Sequence, residues 1–182
     1  MRRLLLILFL FAYSCAPLVC PEGEEVKKRN SSWKAPEHYS AQLSIRYGFI
    51  RVPLTVEKRE GRFMLASEGR SGEVSLNNLC FGGACLEVPI DPDGLIFGKV
   101  LRGDEKVSCS ASGLVFERDE GPFVSRFIFK DQRLSLAEFY DKKKERAYSL
   151  SYLDWAKEGY VKALRFEGKD ISLLIVVDRV KF

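Results

Sequence analysis

Histidine is nearly missing from this 182-residue chain, which holds a single one, His38, beside two methionines and two tryptophans. Any mechanism that needs a histidine pair, and any His-rich metal site, is therefore excluded. His38 has no apparent partner for general-base chemistry and reads as a surface or structural residue. A large excess of one charge is also lacking. The 29 basic residues nearly balance 25 acidic ones, for a formal net charge of +4, and loss of Arg2 and Arg3 with an N-terminal leader would halve it. Nucleic acid is not an expected partner of so balanced a chain. Beyond the N-terminus there is no long apolar run. A composition of 46% apolar, 12% aromatic and 30% charged residues describes one packed globular domain, and argues against disorder, a collagen-like repeat or a coiled coil.

Catalytic motifs are absent as well. Gly69-Arg70-Ser71-Gly72 is one residue short of a nucleophile elbow and has no histidine to activate its serine. Gly94 with Gly98-Lys99 is one residue short of a phosphate loop, and Val100 stands where Ser or Thr belongs. Asp91-Pro92-Asp93-Gly94 lacks the remaining oxygen ligands of a calcium loop, and Asp119-Glu120 reads as solvated charge in a turn. The chain is expected to be no enzyme and to use no cofactor or metal.

What is present begins with an export signal over residues 1–14. Met1-Arg2-Arg3 feeds the apolar run Leu4 to Phe11, too short for the roughly 20 residues of a bilayer-spanning helix. Ala12-Tyr13-Ser14-Cys15 then resembles a bacterial lipobox, in which the Cys15 thiol receives a diacylglyceryl group and becomes the new N-terminus. The alternative is an ordinary signal peptide cut near Ala16. Cys20, preceded by Val19, fits lipidation less well. Ala16 is not the aspartate that retains lipoproteins at the inner membrane, which favours the outer one. Residues 15–38 form a lipidated tether and lead-in, where Glu22, Glu24 and Glu25 precede Lys27, Lys28 and Arg29 in the order that suits a short helix.

From Tyr39 to the C-terminus, residues 39–182, the period is close to two. Ala41, Leu43, Ile45 and Tyr47 alternate with polar residues, as in a strand with one buried face. Further strands are predicted at Ile50–Glu57, Arg62–Ser67, Glu73–Leu79, Leu86–Ile90, Phe123–Phe129, Leu134–Tyr140, Ala147–Tyr152, Tyr160–Phe166 and Ile171–Val180, and between them Val107, Cys109 and Ala111 alternate, with Leu114 and Phe116 following. Pro53 marks an edge position or a bulge. Tight turns every 8 to 12 residues call for an antiparallel meander, and about ten strands must curl. One helix interrupts them: Asp91 is its N-cap, Pro92 its first residue, and it runs to Arg102 with Leu95, Ile96, Val100 and Leu101 on one face.

Two glycines within Cys80-Phe81-Gly82-Gly83-Ala84-Cys85 let this segment double back, so a Cys80–Cys85 disulfide is the leading reading, with unpaired buried thiols or a redox or zinc role as the others. Cys109, between Val107 and Ala111, reads as a small core residue.

The lipobox-like start, the long meander, the apolar helix Pro92 to Arg102 and the closing strands Tyr160–Phe166 and Ile171–Val180 together resemble the lipoprotein-localisation superfamily, the group of LolA, LolB and LppX-like lipoproteins. The resemblance implies a mainly β (α+β) fold: a strongly curved antiparallel sheet forming an unclosed half-barrel, with one or two short helices capping its concave side. It also implies an apolar hollow for acyl chains, and candidates to line it are Leu65, Leu95, Phe116, Phe127, Phe129 and Leu136. The expected function is a lipid-anchored envelope protein that faces the periplasm, held on a membrane by its N-terminal lipid and binding acyl chains of lipids or lipoproteins as carrier or receptor in trafficking to the outer membrane. The rival expectation is a structural or assembly lipoprotein whose core is filled and whose sheet edges pair with an envelope protein.

Overall fold

The structure is a computed structural model that describes residues 20–67, 70–74, 78–81, 84–87, 90–121, 123–142 and 146–182, with residues 70–74, 78–81, 84–87 and 146 described as backbone alone. The elements are helix α1 (Pro21–Ser32), strands β1 (Tyr39–Tyr47), β2 (Ile50–Arg59), β3 (Arg62–Ser67), β4 (Arg70–Val74), β5 (Asn78–Phe81) and β6 (Ala84–Glu87), helix α2 (Pro92–Phe97), and strands β7 (Lys106–Ser110), β8 (Gly113–Glu120), β9 (Phe123–Lys130), β10 (Arg133–Asp141), β11 (Arg146–Trp155), β12 (Val161–Gly168) and β13 (Ser172–Lys181).

Eleven strands form one antiparallel sheet in the order β4-β3-β2-β1-β13-β12-β11-β10-β9-β8-β7, and β5 and β6 form a separate hairpin. The sheet is a meander in which the C-terminal strand β13 closes onto β1, so the first four strands join the rest through β13. The two ends, β4 and β7, do not pair with each other, and the sheet is unclosed. It curls nonetheless. Helix α2 contributes Ile96 and Phe97 to a core cluster with Ala41, Leu43, Val56 and Phe63 of β1 to β3, while Leu95 packs against the second cluster, built from Phe116, Phe127, Leu150 and Leu164 of β8 to β12. A six-residue helix touches both halves of an eleven-stranded sheet only if the sheet wraps around it. Helix α1 joins the same concave side through Val26.

One feature refines the sequence reading and one departs from it. Pro53 lies in an inner strand, but β2 pairs with β3 only from Thr55 onward, so β2 is locally an edge at Pro53 and the missing N–H costs no ladder bond. Helix α2 ends at Phe97, short of Arg102, because Gly98 takes the left-handed conformation (φ 65°) as C-cap and its N–H bonds the Gly94 carbonyl. Val100 and Leu101 are buried all the same.

Candidate functional site

Residues directly opposite each other in an antiparallel sheet share a face, so the registers define the concave surface. Leu65 faces Val56, which faces Ala41. Val52 faces Ile45, Ile45 faces Ile175, Ile175 faces Leu164, and Leu164 faces Tyr152. Ala137 faces Phe127, which faces Phe116. In the β8 to β12 half this surface is sealed: Phe116, Phe127, Phe129, Leu134, Phe139 and Leu150 are each at most 2% exposed. Ring contacts run Phe127–Phe139–Tyr148–Phe166 with centroids 6.2, 4.9 and 5.7 Å apart. In the other half the same surface opens towards the β1–β2 turn. Ala41, Leu54 and Val56 are buried, whereas Ile45, Val52, Leu65, Leu173 and Ile175 are only half-buried.

The six predicted lining residues therefore separate. Phe116, Phe127 and Phe129 form the packed floor of the curve, and Leu65 and Leu95 are half-buried on its concave side. Leu136 is placed on the convex face, opposite Ile128 and Ser151, because the register shift between Leu134 and Leu136 turns it away from the face that Leu134 occupies.

Helix α2 is fastened to both halves by polar groups. Asp91 Oδ1 accepts the Gly94 N–H at 2.7 Å, Asp93 takes the Lys58 ammonium at 2.6 Å and the Tyr39 hydroxyl at 3.0 Å, and the Tyr152 hydroxyl donates to the Gly94 carbonyl at 2.9 Å. Burial raises the Asp91 carboxyl above the usual carboxylate range, against the lowering effect of the Gly94 N–H. Burial, reinforced by the Asp93 charge, likewise pushes the Tyr39 phenol up, so it stays a donor. A second buried cluster sits at the opposite end of β8. Arg118 pairs with Glu105 at 2.6 Å and Glu120 at 2.9 Å, and its guanidinium stacks over Phe127.

Helix α1 is held by a disulfide that the sequence reading missed, Cys20–Cys109, across 89 positions. This corrects the reading of Cys109 as a core residue. Cys109 does point to the concave side, opposite Leu114, but β7 is the last strand, and there the surface meets Cys20 and stays exposed. Gly23 lies so close to Val107 that an added Cβ would meet its Cγ1 at 2.4 Å. Asn30 accepts from the Val100 and Leu101 N–H groups and donates to the Gly98 carbonyl. A cavity of about 870 Å³ lies between α1 and the β7–β8 and β9–β10 turns, lined by Glu22, Val26, Arg29, Leu114, Phe129 and Lys130 among others. No sequence signal pointed to it.

Cys80 and Cys85 are directly opposite in the β5–β6 register; their side chains, like Cys15 and the whole of residues 1–19, lie outside the described residues. Among the described residues no three metal-ligating side chains converge, no helix is long and apolar enough to cross a membrane, and His38 is exposed.

No protein-family model matches the chain, and no curated protein does. Solved structures do. A putative outer membrane lipoprotein-sorting protein domain from Vibrio parahaemolyticus superposes with a TM-score of 0.55 over 88% of this chain and 92% of its own, at 12% identity. A DUF1329 family protein from Desulfovibrio piger gives 0.51 over 88% and 92%, at 10% identity, and a LolA superfamily protein from Nitrosomonas europaea gives 0.50 over 88% and 93%, at 11% identity. Likeness at such identities is likeness of fold, and it agrees with the curved, unclosed antiparallel sheet that the sequence resemblance implied.

Proposed function

We propose that this protein is a lipid-anchored component of a bacterial envelope that holds acyl chains of lipids or lipoproteins against the concave face of its sheet, as a carrier or receptor on the way to the outer membrane. The observation that carries this reading is the uneven sealing of one continuous apolar surface. Its floor at Phe116, Phe127 and Phe129 is packed, its Ile45, Val52 and Ile175 end is half-open, and Leu65 is half-buried at its β3 side. An acyl chain laid there, with Leu95 beside it, removes further apolar area from water at about 25 cal/mol per Å². Methylene packing discriminates weakly between chains, so loose selectivity follows. The fold shared with a lipoprotein-sorting domain supports the assignment.

The anchor in this reading is Cys15. Cys20, the other cysteine near the leader, has its sulfur engaged with Cys109, which leaves Cys15 as the thiol for a thioether. Intact mass of the membrane-extracted protein should show acyl groups on Cys15, and Cys15→Ser should make the protein removable from membranes by a high-salt wash that leaves the wild type in place.

Organic extraction of purified protein followed by mass spectrometry, with titration of a fluorescent fatty acid, tests the binding reading. Bound lipid or saturable uptake that Leu65→Asp with Ile45→Asp abolishes is the expected result. A protein that carries no lipid and takes up no probe would instead leave the assembly reading, in which the open edge strand β4 pairs with an envelope protein.

A further inference from the structure

On the convex face, next to the β1–β2 turn, the registers line up three arginines. Arg51 is directly opposite Arg46, Arg46 is opposite Leu174, and Leu174 is opposite Arg165. All three arginines are exposed. Neighbouring strands are about 4.8 Å apart, so the row spans roughly 14 Å. Like charges directly opposite destabilise a strand pair, and the Arg46–Arg51 pair is relieved on one side only. Arg51 reaches Asp178 at 3.3 Å, while Arg46 and Arg165 have no carboxylate partner among the described residues. Glu167 and Asp170 stand nearby, with Lys169 between them, so the patch is basic by a modest margin.

The row underlies an unusual tip. Tyr47 pairs with Ile50 across the two-residue turn Gly48-Phe49, with Gly48 at φ 56°. Phe49 is fully exposed, Ile50 61% and Tyr47 52%, and Ile171 of the adjoining β12–β13 turn is 42% exposed. Apolar residues projecting past a row of arginines match the layering of a bilayer surface, where aromatic and aliphatic groups enter the acyl boundary and guanidinium groups stay with the phosphates.

We infer that this end of the sheet docks on a lipid surface bearing anionic headgroups, with Arg46, Arg51 and Arg165 as the headgroup contacts and Phe49 and Ile50 as the inserted side chains. The inference needs neither a filled concave face nor an acylated Cys15, so its failure and the failure of the acyl-binding reading are separable.

The test uses the mature chain with Cys15→Ser, so that no covalent lipid contributes, and measures co-sedimentation with vesicles of phosphatidylcholine containing phosphatidylglycerol and with vesicles of phosphatidylcholine alone. Binding is expected only to the anionic vesicles and should weaken as salt is raised. Arg46→Gln, Arg51→Gln and Arg165→Gln combined should weaken it at least about tenfold, and Phe49→Ser about tenfold. Arg62→Gln, Lys157→Gln and Lys181→Gln combined, which remove the same charge from the opposite end, should leave it near wild type. All these side chains are exposed, and matching thermal midpoints will show that the variants fold. Equal binding to both vesicle types, binding to neither, or equal losses from the two triple variants would overturn the inference.

Discussion

Arg118, on the same face of β8 as Phe116, and its partner Glu105 are nearly removed from water, at 6% and 3% exposure. Burial pushes the Glu105 carboxyl up, but the N–H groups of Arg102 and Gly103 and the Arg118 guanidinium outweigh it and hold the group below its ordinary value of 4.5. A carboxyl depressed in the fold adds stability that is complete above 4.5 and is lost as pH falls through its folded value. Asp91, raised by burial, has the opposite sign: its contribution is present below its ordinary value and is lost as pH rises through the folded one. Removing one partner of a buried pair strands the other, so Arg118→Ala should cost about 3 to 5 kcal/mol in urea unfolding. At Asp91 the cap and the charge can be separated. Asp91→Asn keeps the oxygen that accepts from Gly94 and removes the buried charge, so at neutral pH it should be no less stable than wild type, whereas Asp91→Ala should lose about 1 kcal/mol. In melting curves across the acid range, Glu105→Gln should flatten the acid loss of stability, and Asp91→Asn should steepen it.

At the scale of elements, α1 shows how strongly tertiary contacts override local signals. Its sequence announces ion pairs, and Glu25–Arg29 and Glu24–Lys27 do form, but exposed pairs of this kind contribute a few tenths of a kcal/mol at most. The disulfide and the close approach of Gly23 to Val107 hold it in place. By the chain-entropy model a bond closing a loop of this size is worth about 4.6 kcal/mol, so Cys109→Ser should lower the urea midpoint by that equivalent. Reduction of the wild type should reproduce the loss, and adding reductant to the variant should do nothing. Gly23→Ala should lift the helix and cost about 1 to 3 kcal/mol by overpacking, measured the same way. The strand periods were legible because a two-residue repeat leaves its mark on every strand that buries one face, and Tyr39–Tyr47 and Arg62–Ser67 could be read to the residue. The end of α2 was not, since Gly98 could equally have been a weak interior residue; Trp155, whose ring an added Cβ would meet at 2.6 Å, is a partner 57 positions away. Nor was the turning of Leu136, because a bulge changes face without changing composition. The Cys20–Cys109 pairing was hidden for a related reason: alternation gave the side of β7 on which Cys109 lies but not that β7 is the last strand.

At the scale of the whole molecule, the pairing of β13 with β1 is the joint between the two halves. Strands β1 to β4 connect to the remaining strands of the sheet by that ladder alone, although β1 and β13 lie at opposite ends of the domain sequence. Deleting residues 172–182 should abolish the cooperative unfolding transition, and a merely proportionate fall in the midpoint would contradict this account. The meander as a whole was readable from turn spacing, and so was its need to curl. The division of its concave side into a sealed floor and a half-open end was not, because an apolar residue on a strand looks the same in sequence whether its neighbour is a phenylalanine ring or nothing.

The bond between Cys20 and Cys109 also makes a covalent circle of α1, the first six strands, α2 and most of β7. The hairpin carrying Phe49 belongs to that circle. A protease that cuts at this exposed point would therefore release nothing: the nicked protein would weigh one water more than the intact one and, in denaturant, would separate into two pieces only when a thiol is added. Backbone continuity can be lost at the Phe49 hairpin, and both parts remain on the same tether.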